Sequence, residues 1–137
     1  MARALGIDFG EKRVGLALSD RLNLIASPYK TLQHKSEGDL LSKIKEIVTD
    51  KEVKIFVLGL PLNMKGEDSP QTKKVRKFKK LLSSLNLPIV YEDERFTSVM
   101  AKNSLILQKV KTGDNKSEID RTAAAIILQQ YLDKNSN

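Results

Sequence analysis

The sequence predicts an α/β domain with a mixed sheet and helices on its faces. Residues 4–9 and 13–19 form two short apolar runs separated by Gly10-Glu11-Lys12, which is typical of a β-hairpin. Segments of helical and strand length then alternate to the end of the chain, as in other α/β domains. The 137 residues are 40% apolar, which is enough to fill one core, so we expect a single domain over residues 1–137.

The second run of the hairpin has one bulky face and one small face. Val14, Leu16 and Leu18 alternate with Gly15, Ala17 and Ser19. Because successive side chains point to opposite faces of a strand, the small residues share one face. A helix is therefore expected to pack closely on that face.

The remaining elements follow from periodicity and from turn residues. We expect a strand within residues 24–32 that bends at Pro28, a helix over residues 37–50 and an interior strand over residues 54–60. Ser69-Pro70 is typical of a helix start. A strand at residues 89–91, a helix from about Thr97-Ser98 and a last helix from Ser117 to Asp133 complete the prediction.

Composition excludes several kinds of site. The absence of cysteine rules out disulfides, thiolate nucleophiles and Cys-ligated zinc, and His34 is the only histidine. Any metal is therefore expected to be a hard ion such as Mg²⁺ or Mn²⁺, held by oxygens. No apolar run reaches the roughly 20 residues that cross a bilayer, and the start does not fit a secretion signal. We expect a cytoplasmic protein with no membrane partner and with His34 at its surface.

Acidic residues stand where apolar ones would be expected. Asp8 ends the first strand; it is either a turn aspartate before Phe9-Gly10 or a ligand at the carboxyl end of a strand. Glu92-Asp93-Glu94 ends a later strand, either as a solvated loop or with one acid at the same sheet edge as Asp8. Glu92 and Glu94 point the same way along a strand, so position does not choose between them.

Asp120 is the most informative acid. It shares a helix face with small and apolar residues, namely Ala123, Ala124, Ile127 and Tyr131. The local alternative is a capping box between Ser117 and Asp120. Two carboxylates about 4 Å apart repel by roughly 4 kcal/mol at an effective dielectric near 20, so a cluster of three requires protons or cations. A pair of Mg²⁺ or Mn²⁺ ions in such a cluster suits phosphodiester hydrolysis.

The basic residues are concentrated in one segment. The formal net charge is +7, and residues 65–80 contain seven basic residues and two acids. The basic residues are Lys65, Lys73, Lys74, Arg76, Lys77, Lys79 and Lys80. The plain interpretation is a soluble amphipathic helix, but no glutamate interrupts this face, and we favour a phosphate-binding surface extended by Lys12 and Arg13. With few aromatics nearby and no tryptophan, backbone contacts are expected rather than base stacking.

Several motifs together resemble the YqgF (RuvX) family over nearly the whole chain. They are Gly6-Ile7-Asp8-Phe9-Gly10, Val14-Gly15-Leu16-Ala17, Gly59-Leu60-Pro61-Leu62-Asn63, Gln71-Thr72 with Arg76-Lys77-Phe78, Asp93-Glu94-Arg95-Phe96-Thr97, and Asp120 before Ala123-Ala124. The resemblance implies an RNase H-like fold with a five-stranded mixed sheet flanked by helices. It also implies a nuclease that processes the 5′ end of pre-16S ribosomal RNA, or a Holliday junction resolvase.

The resemblance further implies an acidic site of Asp8, Glu94 and Asp120, which would hold two Mg²⁺ or Mn²⁺ ions. The expected substrate contacts are Lys12, Arg13, Lys73, Lys74, Arg76, Lys77 and Arg95. An rRNA precursor is the favoured partner, and branched DNA is the alternative; the chain is expected to be a monomer or a homodimer. The remaining alternative is an RNA-binding assembly factor without catalysis.

Overall fold

A computed structural model of the chain describes residues 3–95 and 116–135. The strands are β1 (Arg3–Phe9), β2 (Arg13–Ser19), β3 (Ala26–Gln33), β4 (Val53–Leu60) and β5 (Ile89–Asp93). The helices are α1 (Glu37–Lys51), α2 (Pro70–Leu82), which ends in a 3₁₀ turn at Ser83–Leu85, and α3 (Lys116–Asn135). The predicted helix from Thr97-Ser98 lies outside the described residues.

The five strands form one mixed sheet in the order β3-β2-β1-β4-β5. β2 pairs antiparallel with β1 and with β3, whereas β4 pairs parallel with β1 and with β5. The register of β2 against β3 shifts between the pairs Leu16–Lys30 and Ala17–Pro28, so the strand pairing is irregular next to Pro28. The expected five-stranded mixed sheet is therefore confirmed.

The sheet separates two apolar layers of different character. On one face, large side chains such as Leu5, Ile7 and Phe56 pack against α1 and α2. On the other face, small residues such as Ala4 and Ala17 meet α3. The alternation of bulky and small residues in β2 decides this arrangement, as the sequence predicts.

The helix starts follow local capping rules. The Ser69 side chain accepts a hydrogen bond from the backbone N–H of Thr72, and Pro70 occupies the first turn of α2. Ser36 caps α1 in the same way through the N–H of Asp39. Among residues 3–95 and 116–135, no helix has the length and apolar character needed to cross a membrane.

Candidate acidic active site

Asp8 lies near the carboxyl end of β1, at the centre of the sheet. Its neighbours in the sheet are β2 on one side and β4 on the other. The residue is only partly exposed, and burial, together with the charge of Asp120, raises the pKa of Asp8 to about 6. Asp8 is therefore a carboxyl whose charge is poorly compensated by the protein.

Glu94 directly follows β5, two strands away from β1. Its backbone N–H donates to the carbonyl of Leu60 at 3.2 Å, which holds the residue against the end of β4. Its side chain reaches over Gly59, where a Cβ would collide with the carboxylate. Burial, followed by the charges of Asp8 and Asp93, raises the pKa of Glu94 to about 8.

Asp120 lies in the first turns of α3, where that helix crosses β2. A Cβ on Gly15 would collide with the backbone carbonyl of Asp120 and would lie 2.9 Å from the amide nitrogen of Arg121. Gly15 is therefore required for the close approach of α3. Because the helix already begins at Lys116, Ser117 lies within it, which disfavours the capping-box interpretation.

The carboxylate of Asp120 accepts a hydrogen bond from Nε of Arg13 at 2.6 Å. Both side chains are partly exposed, at 24% for Asp120 and 32% for Arg13. Among the described residues, Asp120 is thus the one of the three acids with a cation beside its carboxylate, and that cation is Arg13. The charge of Asp120 still acts on Asp8, so the two carboxyls are neighbours.

Asp8, Glu94 and Asp120 are thus linked electrostatically, because the charge of Asp120 contributes to the raised pKa of Asp8 and the charge of Asp8 contributes to the raised pKa of Glu94. The three carboxylates do not form a metal site in this arrangement. Within residues 3–95 and 116–135, no group of three His, Asp or Glu side chains is placed to hold a metal ion.

The other two acids of the Glu92-Asp93-Glu94 run have partners of their own. Glu92 is 4% exposed, and its carboxylate accepts a hydrogen bond from Lys134 of α3 at 2.6 Å. Asp93 pairs with Nε of Arg95 at 2.7 Å. The charge of Asp8 contributes to the raised pKa of Glu94.

The predicted basic contacts fall into two groups. Lys12, Lys73 and Lys77 are exposed. Arg76 instead makes two hydrogen bonds to Asp68, at 2.8 and 2.9 Å, and lies over the ring of Tyr91. Lys74 is paired with Glu11, and Arg95 with Asp93. To bind a phosphate, each of these three residues would therefore have to leave its carboxylate partner or hold both groups at once.

An open cleft of about 450 Å³ joins the basic helix to the acidic edge. It is lined by Gly10, Glu11, Lys12, Arg13, Gln71, Lys74 and Asp120. The side-chain amide of Gln71 donates to the carbonyl of Phe9 at 3.1 Å, which fixes the start of α2 beside the end of β1. The sequence contains no local signal for this bond, which spans 62 residues.

His34 is not the freely exposed surface residue that its polar neighbours predict. Its ring lies 6.5 Å from that of Phe9, at an angle of 28°, and its Nε2 is buried with no hydrogen-bond partner in the part of the chain that the structure describes. The cause is the register of β3: Gln33 pairs with Arg13 at the start of β2, so His34 lies beside the turn that joins β1 to β2 and near Phe9.

Comparison with known proteins places this arrangement in a family. Residues 2–134 match the model of a family described as "RuvX: Holliday junction resolvase". The chain belongs to the RuvX family. Its relatives include a protein of Trichormus variabilis named "Putative pre-16S rRNA nuclease", which is 45% identical over 95% of this chain and 87% of that protein. A RuvX-family protein of the same name from Dictyoglomus thermophilum is 41% identical, over 98% and 97% of the two chains.

The fold is also found among solved structures. RuvC of T. thermophilus in complex with a Holliday junction substrate superimposes with a TM-score of 0.61, at 12% identity, over 96% of this chain and 94% of that one. RuvC-like resolvases have the RNase H-like fold, and the predicted fold class of this RuvX-family chain is thereby confirmed.

Proposed function

We propose that this RuvX-family chain is a metal-dependent nuclease that processes an rRNA precursor. The observation that carries the proposal is the pair of largely buried carboxyls, Asp8 and Glu94, whose pKa values are raised to about 6 and about 8 first by burial and then by neighbouring carboxylates. The names of its close relatives support the pre-16S rRNA as substrate.

A divalent cation fits the donor chemistry of this edge. All three proposed ligands are carboxylates, the ligands that Mg²⁺ and Mn²⁺ prefer. At neutral pH a cation would replace the proton that Glu94 retains and would balance the charge of Asp8. Asp120 would join them once its carboxylate leaves Arg13, which then becomes free for a phosphate. A pair of such ions supplies an activated water and stabilises the leaving oxygen during phosphodiester hydrolysis.

The protein residues have separate proposed roles. Asp8, Glu94 and Asp120 hold the ions and are the catalytic residues. Lys12, Arg13, Lys73, Lys74, Arg76, Lys77 and Arg95 contact the backbone of the strand. The open cleft between Lys74 and Asp120 connects the two sets, so a phosphodiester that enters along α2 is led to the acids. The cytoplasm is the proposed compartment, and the chain acts as a single domain.

A Holliday junction resolvase is the second candidate, because the matching family model carries that description. Symmetric cutting of a four-way junction needs two active sites and therefore a dimer. A chain that stays monomeric with its substrate would speak against this activity.

The test is incubation of the purified protein with a labelled rRNA precursor and with a labelled four-way DNA junction, each with Mn²⁺, with Mg²⁺ or with chelator. We expect cleavage of the precursor that depends on the metal. Symmetric cutting of the junction alone would favour the resolvase. Binding of RNA without cleavage under any of these conditions would indicate an assembly factor.

A further inference from the structure

A second cleft lies on the opposite side of the same sheet edge. It measures about 230 Å³ and is lined by Phe9, Glu11, His34, Glu37, Leu40, Lys74, Lys77 and Phe78. Phe9 is the residue after Asp8, and consecutive side chains of a strand point to opposite faces. The cleft and the acidic edge are therefore one residue apart along β1 and share its carboxyl end.

The floor of this cleft is aromatic and rigid. The rings of Phe9 and Phe78 stack with centroids 4.4 Å apart and an interplanar angle of 18°, and Phe78 is 3% exposed. His34 adds a third ring beside Phe9. A dry cavity of about 150 Å³ holds benzene, so this cleft has room for a flat ring of nucleobase size.

The rim of the cleft is charged. Lys74 and Lys77 are three residues apart on α2 and therefore neighbours on one helix face. Glu11 pairs with Lys74 across the opening, and Glu37 stands at the start of α1. The aromatic floor suits a stacked base, whereas the rim carries two lysines and two glutamates, so Lys77, which is not paired with Glu11, is the lysine offered to a phosphate.

We propose that this cleft binds an unpaired base of the substrate strand, stacked against Phe9 and His34, while the adjoining phosphate lies at Asp8. The inference rests on the proposed nuclease function and narrows its substrate to a single-stranded stretch.

The arrangement explains how the site selects unpaired nucleic acid. A base can enter the cleft only if it is not stacked and paired within a duplex. The base would then lie on the face of β1 that carries Phe9, and the scissile bond would lie on the face that carries Asp8.

The proposal is tested by binding in chelator, where no cleavage interferes. The probe is a short single-stranded RNA with 2-aminopurine in place of one base, in a series that moves it along the strand. A fully abasic strand of the same length and charge serves as the reference. We expect 2-aminopurine fluorescence to be quenched at one position and the abasic strand to bind about tenfold more weakly.

Two variants separate stacking from charge. His34→Ala should weaken binding of the intact strand about tenfold without changing the salt dependence. Lys77→Ala should lower the log–log salt slope by about 0.7. Tyr29→Ala and Lys45→Ala, at an aromatic and a lysine away from the cleft, are the matched controls and should behave as wild type.

Equal binding of intact and abasic strands by the wild-type protein would overturn the base-binding proposal, even if His34→Ala failed to fold. Unchanged affinity and quenching in folded His34→Ala would overturn it as well. If the wild-type protein also cleaves the precursor, only this inference fails. If it neither binds nor cleaves any strand, the proposed nuclease function fails with it.

Discussion

Gly15 lies directly opposite Asp8 in the antiparallel ladder between β1 and β2. Because Gly15 has no side chain, the backbone of Asp120 rests against it, and the carboxyl of Asp120 comes within electrostatic reach of Asp8. On the other side of β1, Gly59 leaves the space that the Glu94 side chain occupies. Gly15 of β2 and Gly59 of β4 lie in the two strands that flank β1. They thus leave room for Asp120 and for the Glu94 side chain on either side of that strand.

Substitution of Gly15 by alanine should push α3 away from β2. The new Cβ would collide with backbone atoms of α3, which cannot move aside as a flexible side chain could. Overpacking of this kind costs typically about 1–3 kcal/mol, and we expect a loss of about 2 kcal/mol or more in the free energy of unfolding, measured with urea.

Gly38→Ala is the matched control, because, apart from the adjoining backbone, none of residues 3–95 and 116–135 has an atom within 4 Å of the Cβ that it would add, so that Cβ has open space there. It should leave the unfolding free energy unchanged or raise it by about 0.5 kcal/mol. If Gly15→Ala proves as stable as Gly38→Ala, the close approach of α3 does not matter for the fold.

The stability of the metal-free protein should depend on Glu94. The pKa of this carboxyl is raised from 4.5 to about 8 in the folded state. The folded protein therefore keeps a proton that the unfolded chain has lost, and the unfolding free energy falls as the pH rises from about 4.5 to about 8. Asp8 contributes in the same direction up to about pH 6.

Denaturation in chelator over this pH range checks the effect. Glu94→Gln should flatten the dependence, whereas Glu46→Gln, at an exposed position of α1, should leave it as in the wild type. A wild-type stability that rises from pH 5 to pH 8 would show that Glu94 is not held neutral by its surroundings.

Arg13 should compete with divalent cations for Asp120. Its removal frees a carboxylate and also takes a positive charge from the site, so Arg13→Ala should bind Mn²⁺ several-fold more tightly in calorimetric titration. Arg21→Ala is the control, since its ion pair with Glu52 is exposed and belongs to another part of the molecule. Unchanged or weaker Mn²⁺ binding by Arg13→Ala would exclude this competition.

The basic helix should make the affinity for nucleic acid depend on salt. Contact with about five phosphates corresponds to a log–log slope near −4 for a duplex. The double variant Lys73→Ala/Lys80→Ala should reduce the slope by about two, whereas Lys45→Ala/Lys54→Ala, at exposed lysines elsewhere, should not. A wild-type slope close to zero would show that this surface does not contact the phosphates of the nucleic acid.

Much of the fold could be predicted because it depends on local patterns. The small face of β2 predicts the close packing of a helix, and α3 lies there. The run over residues 54–60 predicts an interior strand, and β4 lies between β1 and β5. The Ser69-Pro70 start of α2 follows from capping alone.

Contacts between distant segments could not be predicted in this way. Residue alternation rightly places Glu92 and Glu94 on one face, but only the fold brings Lys134 to Glu92 and leaves Glu94 beside Asp8. The pairing of Arg13 with Asp120 spans 107 residues.

The aromatic cleft was missed for the same reason. Phe9, His34 and Phe78 come from the end of β1, the residue after β3 and the middle of α2. No segment of the sequence holds them together, so the sequence contains no signal of this cleft.

Cleavage by Asp8→Asn is the decisive test of the acidic active site, because Asp8 is coupled electrostatically to both Asp120 and Glu94. The measurement is digestion of a labelled rRNA precursor with Mn²⁺, run beside Asp50→Asn, which changes an exposed acid on α1. The account predicts that Asp8→Asn loses cleavage while it binds RNA as well as the wild type or slightly better, and that Asp50→Asn cleaves normally. Cleavage by Asp8→Asn at the wild-type rate would contradict it.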